Sequence, residues 1–231
     1  MDFFSVIQQR RSIRRFTDEV IPKEVIRKAL EAAVLAPNSS NVQTWDFYVV
    51  QTEETKKKLA LACYNQSAAR TAKALLVVVA DAKLWRRSNP QLIKYVESIQ
   101  APAGVQSYYK RVVPLTYQWG FLNLFAPFKM LSSLLIGFFR PINRGPFTRR
   151  DIQEVCVKSA ALACENFVLA MTAQGYATCM MEGFDEWRVK KLLKLKCSSK
   201  VVMVIGMGKE APRGTWGPQF RIPIEQVIHE L

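Results

Sequence analysis

The 231-residue chain carries 33 Lys and Arg against 19 Asp and Glu, a formal net charge of +14, and 49% of its residues are hydrophobic. That length and composition fit one domain, residues 1–231, with a substantial core and argue against disorder, while a single histidine, His229, leaves no material for a histidine-based metal site or a catalytic triad. Five cysteines without a CxxC pair read as reduced, mostly buried thiols, and Met1-Asp2-Phe3-Phe4-Ser5 lacks the basic region and long apolar run of a secretory signal, so the expected location is cytoplasmic.

Taken in chain order, residues 3–10 and 24–36 place apolar side chains at helical spacing, with Pro22 just ahead of the second helix. Residues 46–51 read as a strand, and Thr52-Glu53-Glu54 opens a helix to about Tyr64. The continuous apolar run Leu75 to Ala80 predicts a buried central strand. Asn89-Pro90 then predicts a helix start, Asn as cap and Pro in the first turn, running to about Gln100. Residues 151–174 form a long helical pattern rich in small residues (Ser159, Ala160, Ala161, Ala163, Cys164, Ala170) that lets another helix approach closely, and Gly175 ends it. A short strand at Tyr176 to Met181, a helix staple and cap at Phe184-Asp185, and a last strand at Val201 to Gly206 follow. Residues 207–221 read as a Gly/Pro/Arg loop, and Ile222 to Leu231 has too little around it to form a core locally. Helices and strands mix without a βαβ rhythm, which predicts an α+β fold with a mixed, mostly antiparallel central sheet flanked by helices. No GxGxxG phrase follows a strand; Gly206-Met207-Gly208 comes nearest and does not fit.

Two phrases near the N-terminus carry chemistry. Arg10-Arg11-Ser12-Ile13-Arg14-Arg15-Phe16 packs guanidinium forks and a hydroxyl into a few residues, suiting a phosphate monoester, whose oxygens Arg binds bidentately. Ala36-Pro37-Asn38-Ser39-Ser40-Asn41-Val42-Gln43-Thr44-Trp45 is a turn-prone run of amides and hydroxyls able to hydrogen-bond a planar polar heterocycle. Together they suggest a phosphorylated ring cofactor. In order and spacing both phrases resemble those of the flavin-dependent nitroreductase family, whose members hold FMN between two identical subunits. The likeness extends through the small-residue helix, Gly175-Tyr176-Ala177 and Met181-Glu182-Gly183-Phe184-Asp185, over most of the chain except roughly 101–148.

By that resemblance, the fold is the family's three-layer one, with the C-terminal tail extending onto the partner subunit. Arg10, Arg11, Ser12 and Arg14 would hold the FMN phosphate and ribityl chain, and Arg221 would return to the same phosphate, with Arg213 a second candidate. Pro37, Asn38, Ser39 and Asn41 would come from the other subunit, with Gln43 supporting that turn. Asn65 matches a position at the pyrimidine edge of the ring, and Met181, Glu182 and Gly183 match the segment whose backbone lies along the flavin near N5. The implied chemistry is ping-pong hydride transfer: NAD(P)H reduces FMN, leaves, and is replaced by a nitroaromatic, a quinone or another electron-poor conjugated acceptor, with no catalytic side chain and no metal. Three departures stand out: Thr44 where the family often has Pro, Gln219 where a basic residue often lies, and Lys158 where the long helix usually carries Asp.

The middle of the chain is unlike the family core. Between Glu97 and Asp151 there is no acidic residue, and Lys110, Arg111, Lys129, Arg140, Arg144, Arg149 and Arg150 supply half of the net charge of +14. Such a field favours phosphorylated cofactors, acidic lipid surfaces or nucleic acid, or simply solubility. Gly120 to Phe139 is an apolar stretch long enough for a membrane span, but Lys129 at its centre would cost roughly 2.5–3.5 kcal/mol and Pro127 would interrupt it. If Arg10 to Arg14 and Arg221 meet at one phosphate, both flanks lie on one side of any membrane, which a single span forbids. The insertion is therefore expected to be a lid, a dimer arm or an element docking on the inner face of a membrane, where Trp119 and the Phe and Leu side chains would meet acyl chains.

Two rivals follow. A flavoprotein of the same fold could run reductive dehalogenation or flavin destruction, although the Glu97, Tyr108, Lys110 region does not clearly reproduce the Glu/Tyr/Lys grip of such dehalogenases. A basic nucleic-acid-binding module would need aromatic residues along a basic stripe or a reading motif; here the aromatics cluster in an apolar run, so no nucleic acid is expected.

Overall fold

The computed structural model describes residues 2–118 and 125–231. Its helices are α1 (Phe3–Gln9), α2 (Lys23–Val34), α3 (Glu53–Ala62), α4 (Ser67–Thr71), α5 (Trp85–Ser98), α6 (Ala103–Ser107), α7 (Val113–Tyr117), α8 (Ala126–Phe139), α9 (Arg149–Ala173) and α10 (Glu186–Leu192). The strands are β1 (Trp45–Val50), β2 (Ala74–Ala80), β3 (Ala177–Met181) and β4 (Lys200–Gly208). They form one sheet in the order β1-β2-β4-β3, antiparallel at every junction. Its parallel component is an isolated bridge, Ser12 to Thr178.

The apolar run predicted as a central strand is β2, buried along its whole length. Alternation decides which layer each residue meets. Leu76 and Val78, with Ile205 and Met207 of β4, face α2 and α9, while Leu75, Val77 and Val79 face α3, α4 and α10. Small residues let α2 and α9 approach: Ala29 and Ala33 lie in one core with Ala160, Ala163 and Cys164, all fully buried. The small-residue stripe of α9 is thus consumed within the chain. Among the described residues α9 alone is long and apolar enough to cross a membrane by length and composition, and here it is a core helix, burying Cys156, Phe167, Val168 and Met171 among others.

Gly206 and Gly208 of β4 are packing glycines. A Cβ at Gly206 would stand 2.9 Å from the Ala68 carbonyl oxygen, and one at Gly208 would stand 2.8 Å from Phe16 Cβ. The close approach lets the chain after the first phrase lie on the sheet, where the Phe16 N–H donates to Thr71 Oγ1 at 3.2 Å.

Asn89-Pro90 does not start a helix. Asp81 caps a short 3₁₀ turn, Ala82–Leu84, by accepting from the Lys83 N–H at 2.9 Å, and α5 runs on from Trp85. Ser198 and Ser199 hydroxyls, each 2.9 Å from Asp81 Oδ2, lock that earlier cap. Pro90 lies inside α5, and Asn89 is buried with its amide donated to the Tyr109 carbonyl at 3.0 Å. An earlier side-chain cap outranked the local Asn-Pro signal.

The insertion divides in two. Residues 103–118 form α6, a π-helical turn at Tyr108–Val112 and α7, and they bury Val113 and Tyr117 in the main core. Helix α8 has only Ala126 and Ser133 buried. Trp119 and residues 120–124 of the apolar stretch lie outside the described residues.

Candidate functional site

The first phrase follows α1, whose end is marked by the Arg10 N–H donating to Val6 O at 3.0 Å. It then runs beside β3, with Ile13 N–H donating to Thr178 O at 2.9 Å, and meets the loop after β4, with Arg14 N–H donating to Gly214 O at 2.8 Å. These tethers gather Arg10, Arg11, Ser12 and Arg14 with Thr215, Trp216, Gly217, Gln219 and Arg221 around a cavity of about 250 Å³. No carboxylate lines it. Arg11 donates to the Gly217 carbonyl, and the Arg14 guanidinium lies 4.4 Å over the Trp216 ring, a cation–π contact that fixes its plane. Arg10 stands 4.0 Å from Glu165, at the limit of an ion pair. Gln219, with its amide turned to satisfy both neighbours, accepts from Arg221 at 3.0 Å and donates to Gln8 O at 3.3 Å. The residue that departs from the family pattern therefore orients Arg221 instead of adding charge.

The donor set fits a phosphate monoester: four arginines with the Ser12 and Thr215 hydroxyls line one cavity with no carboxylate in its lining, and Glu165 touches only Arg10, at 4.0 Å. The field of the cluster extends to β3. Burial pushes the Cys179 thiol up, and the nearby Arg14 and Arg10 charges oppose that shift. Arg213, the weaker candidate, has a left-handed φ of 59° and is not among the residues lining the cavity.

Strand β3 leads from Thr178 to Met181, Glu182 and Gly183. There Gln66, in the turn between α3 and α4, donates its amide to the Gly183 carbonyl at 2.7 Å. Asn65, one residue earlier, has a left-handed φ of 54° and lines a separate cavity of about 380 Å³ with Lys56, Lys57 and Arg70. Strand β3 and its continuation thus connect the arginine phrase, bridged at Ser12–Thr178, to the Asn65-Gln66 turn, bonded at Gly183.

The second phrase is a tightly wound turn. Ser40, Asn41 and Gln43 have φ of 55°, 52° and 47°, a conformation costly for residues with a Cβ. Hydrogen bonds hold it: Asn38 Oδ1 accepts from the Gln43 N–H at 2.9 Å, and the Gln43 amide reaches Asn41 O at 3.3 Å. The Ser39 N–H donates to Ser159 Oγ of α9 at 3.3 Å. From the insertion, Tyr108 and Ser40 share a 2.6 Å hydroxyl contact. Burial pushes the Tyr117 phenol well up, with a hydrogen bond to Ser39 opposing the shift. Pro37 is exposed, and Thr44, the second departure, is buried, with its carbonyl accepting from Asp81 N–H at 3.1 Å. The third, Lys158, pairs with Glu154 at 3.0 Å on the surface of α9.

Asn41 and Gln43 line a groove of about 680 Å³ with Trp45, Phe47, Arg87 and Tyr95, and the arginine cluster lines a different cavity. Within one chain the two phrases do not meet. Sequence reasoning missed Thr215, Trp216, Gln66 and the Tyr108 and Tyr117 grip on the turn. None carries a local signal, since Tyr108 meets Ser40 across 68 residues of sequence. Glu97 and Lys110, weighed above as part of a dehalogenase-like grip, pair with each other at 2.6 Å.

Comparison with known proteins agrees with these observations. Residues 7–209 match the profile described as Nitroreductase family. YdgI of Bacillus subtilis strain 168 is 30% identical over 229 residues, covering 98% of this chain and 96% of its own. The NADH dehydrogenase of Thermus thermophilus is 25% identical over 99% of this chain and 95% of its own. Among solved structures, an Exiguobacterium sibiricum 255-15 protein in complex with FMN superposes with a TM-score of 0.74 at 24% identity, covering 100% of this chain and 98% of that one.

Proposed function

The chain belongs to the nitroreductase family, and from that premise we propose that it is an FMN-dependent oxidoreductase that takes hydride from NAD(P)H and passes it to an electron-poor conjugated acceptor such as a nitroaromatic or a quinone. The observation that carries this reading is the acid-free cavity at which Arg10, Arg11, Arg14 and Arg221 converge. The FMN-bound structural relative and the NADH dehydrogenase name of the Thermus relative support cofactor and reductant. FMN, when bound, supplies reversible hydride acceptance and donation.

The protein's own residues bind and orient. The four arginines neutralise the phosphate dianion, and Trp216 and Gln219 hold Arg14 and Arg221 in place. Gln66 fixes the Gly183 carbonyl and so steadies the Met181 to Gly183 backbone, which would hold the ring of bound FMN. Pro37, Asn38, Ser39 and Asn41 of a second copy complete the site. That the two phrases line different cavities in one chain supports a homodimer with a shared site. So do the exposed apolar side chains of the tail, Ile222, Ile224, Val227 and Ile228, which have no core of their own. All five cysteines are free thiols, and four are buried, in keeping with a cytoplasmic location.

Purified protein should carry one FMN per chain, identified by its visible spectrum and by mass after release. Anaerobic NAD(P)H should bleach it, and a quinone or nitroaromatic should restore the colour. Colourless protein that takes up no added FMN would overturn the reading.

A further inference from the structure

Helix α8 leaves most of its apolar side chains exposed. Phe128, Leu131, Leu135 and Phe138 follow one another at steps of three and four residues, which puts them on one face, opposite the buried Ala126 and Ser133. They are 74%, 56%, 59% and 85% exposed, and Phe139, at 85%, widens the same face. A large apolar patch left open to water marks a surface for another apolar phase.

The polar side chains of α8 have partners within the protein: Lys129 and Ser133 turn inward, and Ser132, though exposed, bonds its own helix. Lys129, whose charge counted against a membrane span in the sequence, donates to the Leu115 and Gln118 carbonyls at 2.7 and 2.6 Å, the C-terminal end of α7. Desolvation there pushes its ammonium pKa down. Ser132 donates to Lys129 O at 3.0 Å and Ser133 to Asn143 O at 3.3 Å. The outward face therefore carries no side chain that needs water, as entry into hydrocarbon demands.

In the sequence on either side of this helix the charge has one sign. Arg140 follows α8 directly, Arg144 folds back to donate to Gly137 O at 3.1 Å, and Arg111 and Arg150 are exposed nearby in sequence, within a stretch from Glu97 to Asp151 that has no acid. Two copies docked through α8 would bring like charges together. An anionic bilayer complements both the apolar face and its rim, with the helix lying in the interface plane. At 14 residues, about 21 Å, α8 is too short to span, which agrees with a chain whose flanks stay on one side.

We propose that α8 is a monotopic docking helix that seats the protein on anionic lipid, with Phe128, Leu131, Leu135 and Phe138 among the acyl chains and Arg140 and Arg144 at the headgroups. Neither the flavin cavity nor its arginines take part, so the docking role stands apart from the flavin reading.

The test is co-sedimentation of the full-length protein, with its cofactor, on phosphatidylcholine vesicles with and without phosphatidylglycerol. Wild type should pellet with the anionic vesicles, and its partitioning should fall about tenfold between 0.05 and 0.5 M salt. The triple variant Leu131→Ser, Leu135→Ser, Phe138→Ser should partition at least about a hundredfold less. A second variant, Phe138→Trp, keeps the face apolar and reports depth: its added fluorescence should shift to the blue and be quenched by lipids brominated in the acyl chain. Failure of wild type to bind anionic vesicles would overturn the proposal. So would full binding by the triple variant, or an oligomer that the triple variant dissociates, which would give the face to a second copy. Bound FMN should be the same in all three proteins, so loss of flavin would count against the flavin reading alone.

Discussion

Two regions of this protein are strongly basic, and they are built in opposite ways. At the first phrase, Arg10, Arg11, Arg14 and Arg221 converge on one cavity, and neighbours fix their directions: Gly217 O for Arg11, the Trp216 ring for Arg14, Gln219 for Arg221. Around α8, Arg140 and Arg144 flank an apolar face and their charges spread over a surface. The contrast teaches that positive charge alone names no ligand. A cluster aimed inward suits a small dianion, and a rim around exposed Phe and Leu suits an extended anionic surface.

The sharpest way to break the comparison is to remove charge from each region in turn. Arg14→Ala with Arg221→Ala should lower FMN affinity by about 10²- to 10⁴-fold, two charge-assisted interactions at about 1.5–3 kcal/mol each. Vesicle binding should not change. Equilibrium dialysis and flavin fluorescence read the first effect, and the sedimentation assay reads the second. If the double variant lost lipid binding and kept FMN, the roles assigned to the two regions would be exchanged. Mixing an Arg14→Ala protein with an Asn38→Ala protein sharpens the same point. Heterodimers should regain one intact site, and at limiting FMN the mixture should be more active than either parent, whereas a site confined to one chain would show no rescue.

Next in size is Gly208→Ala. Its Cβ would stand 2.8 Å from Phe16 Cβ and 3.0 Å from Phe16 Cγ, so the segment after Arg14 must lift from β4. Overpacking of this kind costs about 1–3 kcal/mol, read as a lower urea midpoint. FMN affinity should fall with it, because the arginine cluster is placed by that segment, while α8 should bind vesicles as before. A stability loss with FMN affinity unchanged would separate the packing of Phe16 from the cavity.

Much of this was legible in the sequence where the signal was local. The all-apolar run of β2, the helical spacing of α2 and the Asp185 cap of α10 each announce themselves within about ten residues, and so does the arginine phrase. The start of α5 was not legible, because it continues a 3₁₀ turn capped by Asp81, which is itself held by Ser198 and Ser199, more than a hundred residues away. The inward turn of Lys129 was hidden for the same reason: its partners are carbonyls of α7, and the sequence showed only a charge amid apolar residues. The Thr215 and Trp216 walls of the cavity come from a loop that periodicity leaves blank.

A smaller effect tests how the docked half of the insertion touches the site. Tyr108→Phe removes the 2.6 Å hydroxyl contact to Ser40 and should cost about 0.5–1.5 kcal/mol, two- to tenfold in FMN affinity. Because Ser40 is held in the left-handed region, the loss should relax the turn, and the bound flavin's visible bands should shift. Unchanged bands with unchanged affinity would detach the insertion from the site.

The smallest expected change lies where the basic insertion ends, at Asp151, the first acid after Glu97. Its carboxylate accepts from the Thr148 and Phe147 N–H groups, both at 3.0 Å, and Thr148 Oγ1 accepts from the Asp151 N–H at 3.2 Å, a reciprocal cap on α9. These backbone donors, Thr148 first, hold the carboxyl below its ordinary value of 3.8. A lowered folded-state pKa means the cap's contribution is complete above the unfolded value and is lost as pH falls through the folded one. Asp151→Asn should therefore cost about 0.5–1 kcal/mol at pH 7, at the low end for a cap because the group is only half-buried, and the deficit should shrink as pH falls below the ordinary carboxylate value. Because the cap fixes where α9 starts, hydrogen exchange at the first turn of α9 should rise in the variant at pH 7, while the arginine cavity, tied to β3 and the loop after β4, should exchange as in wild type.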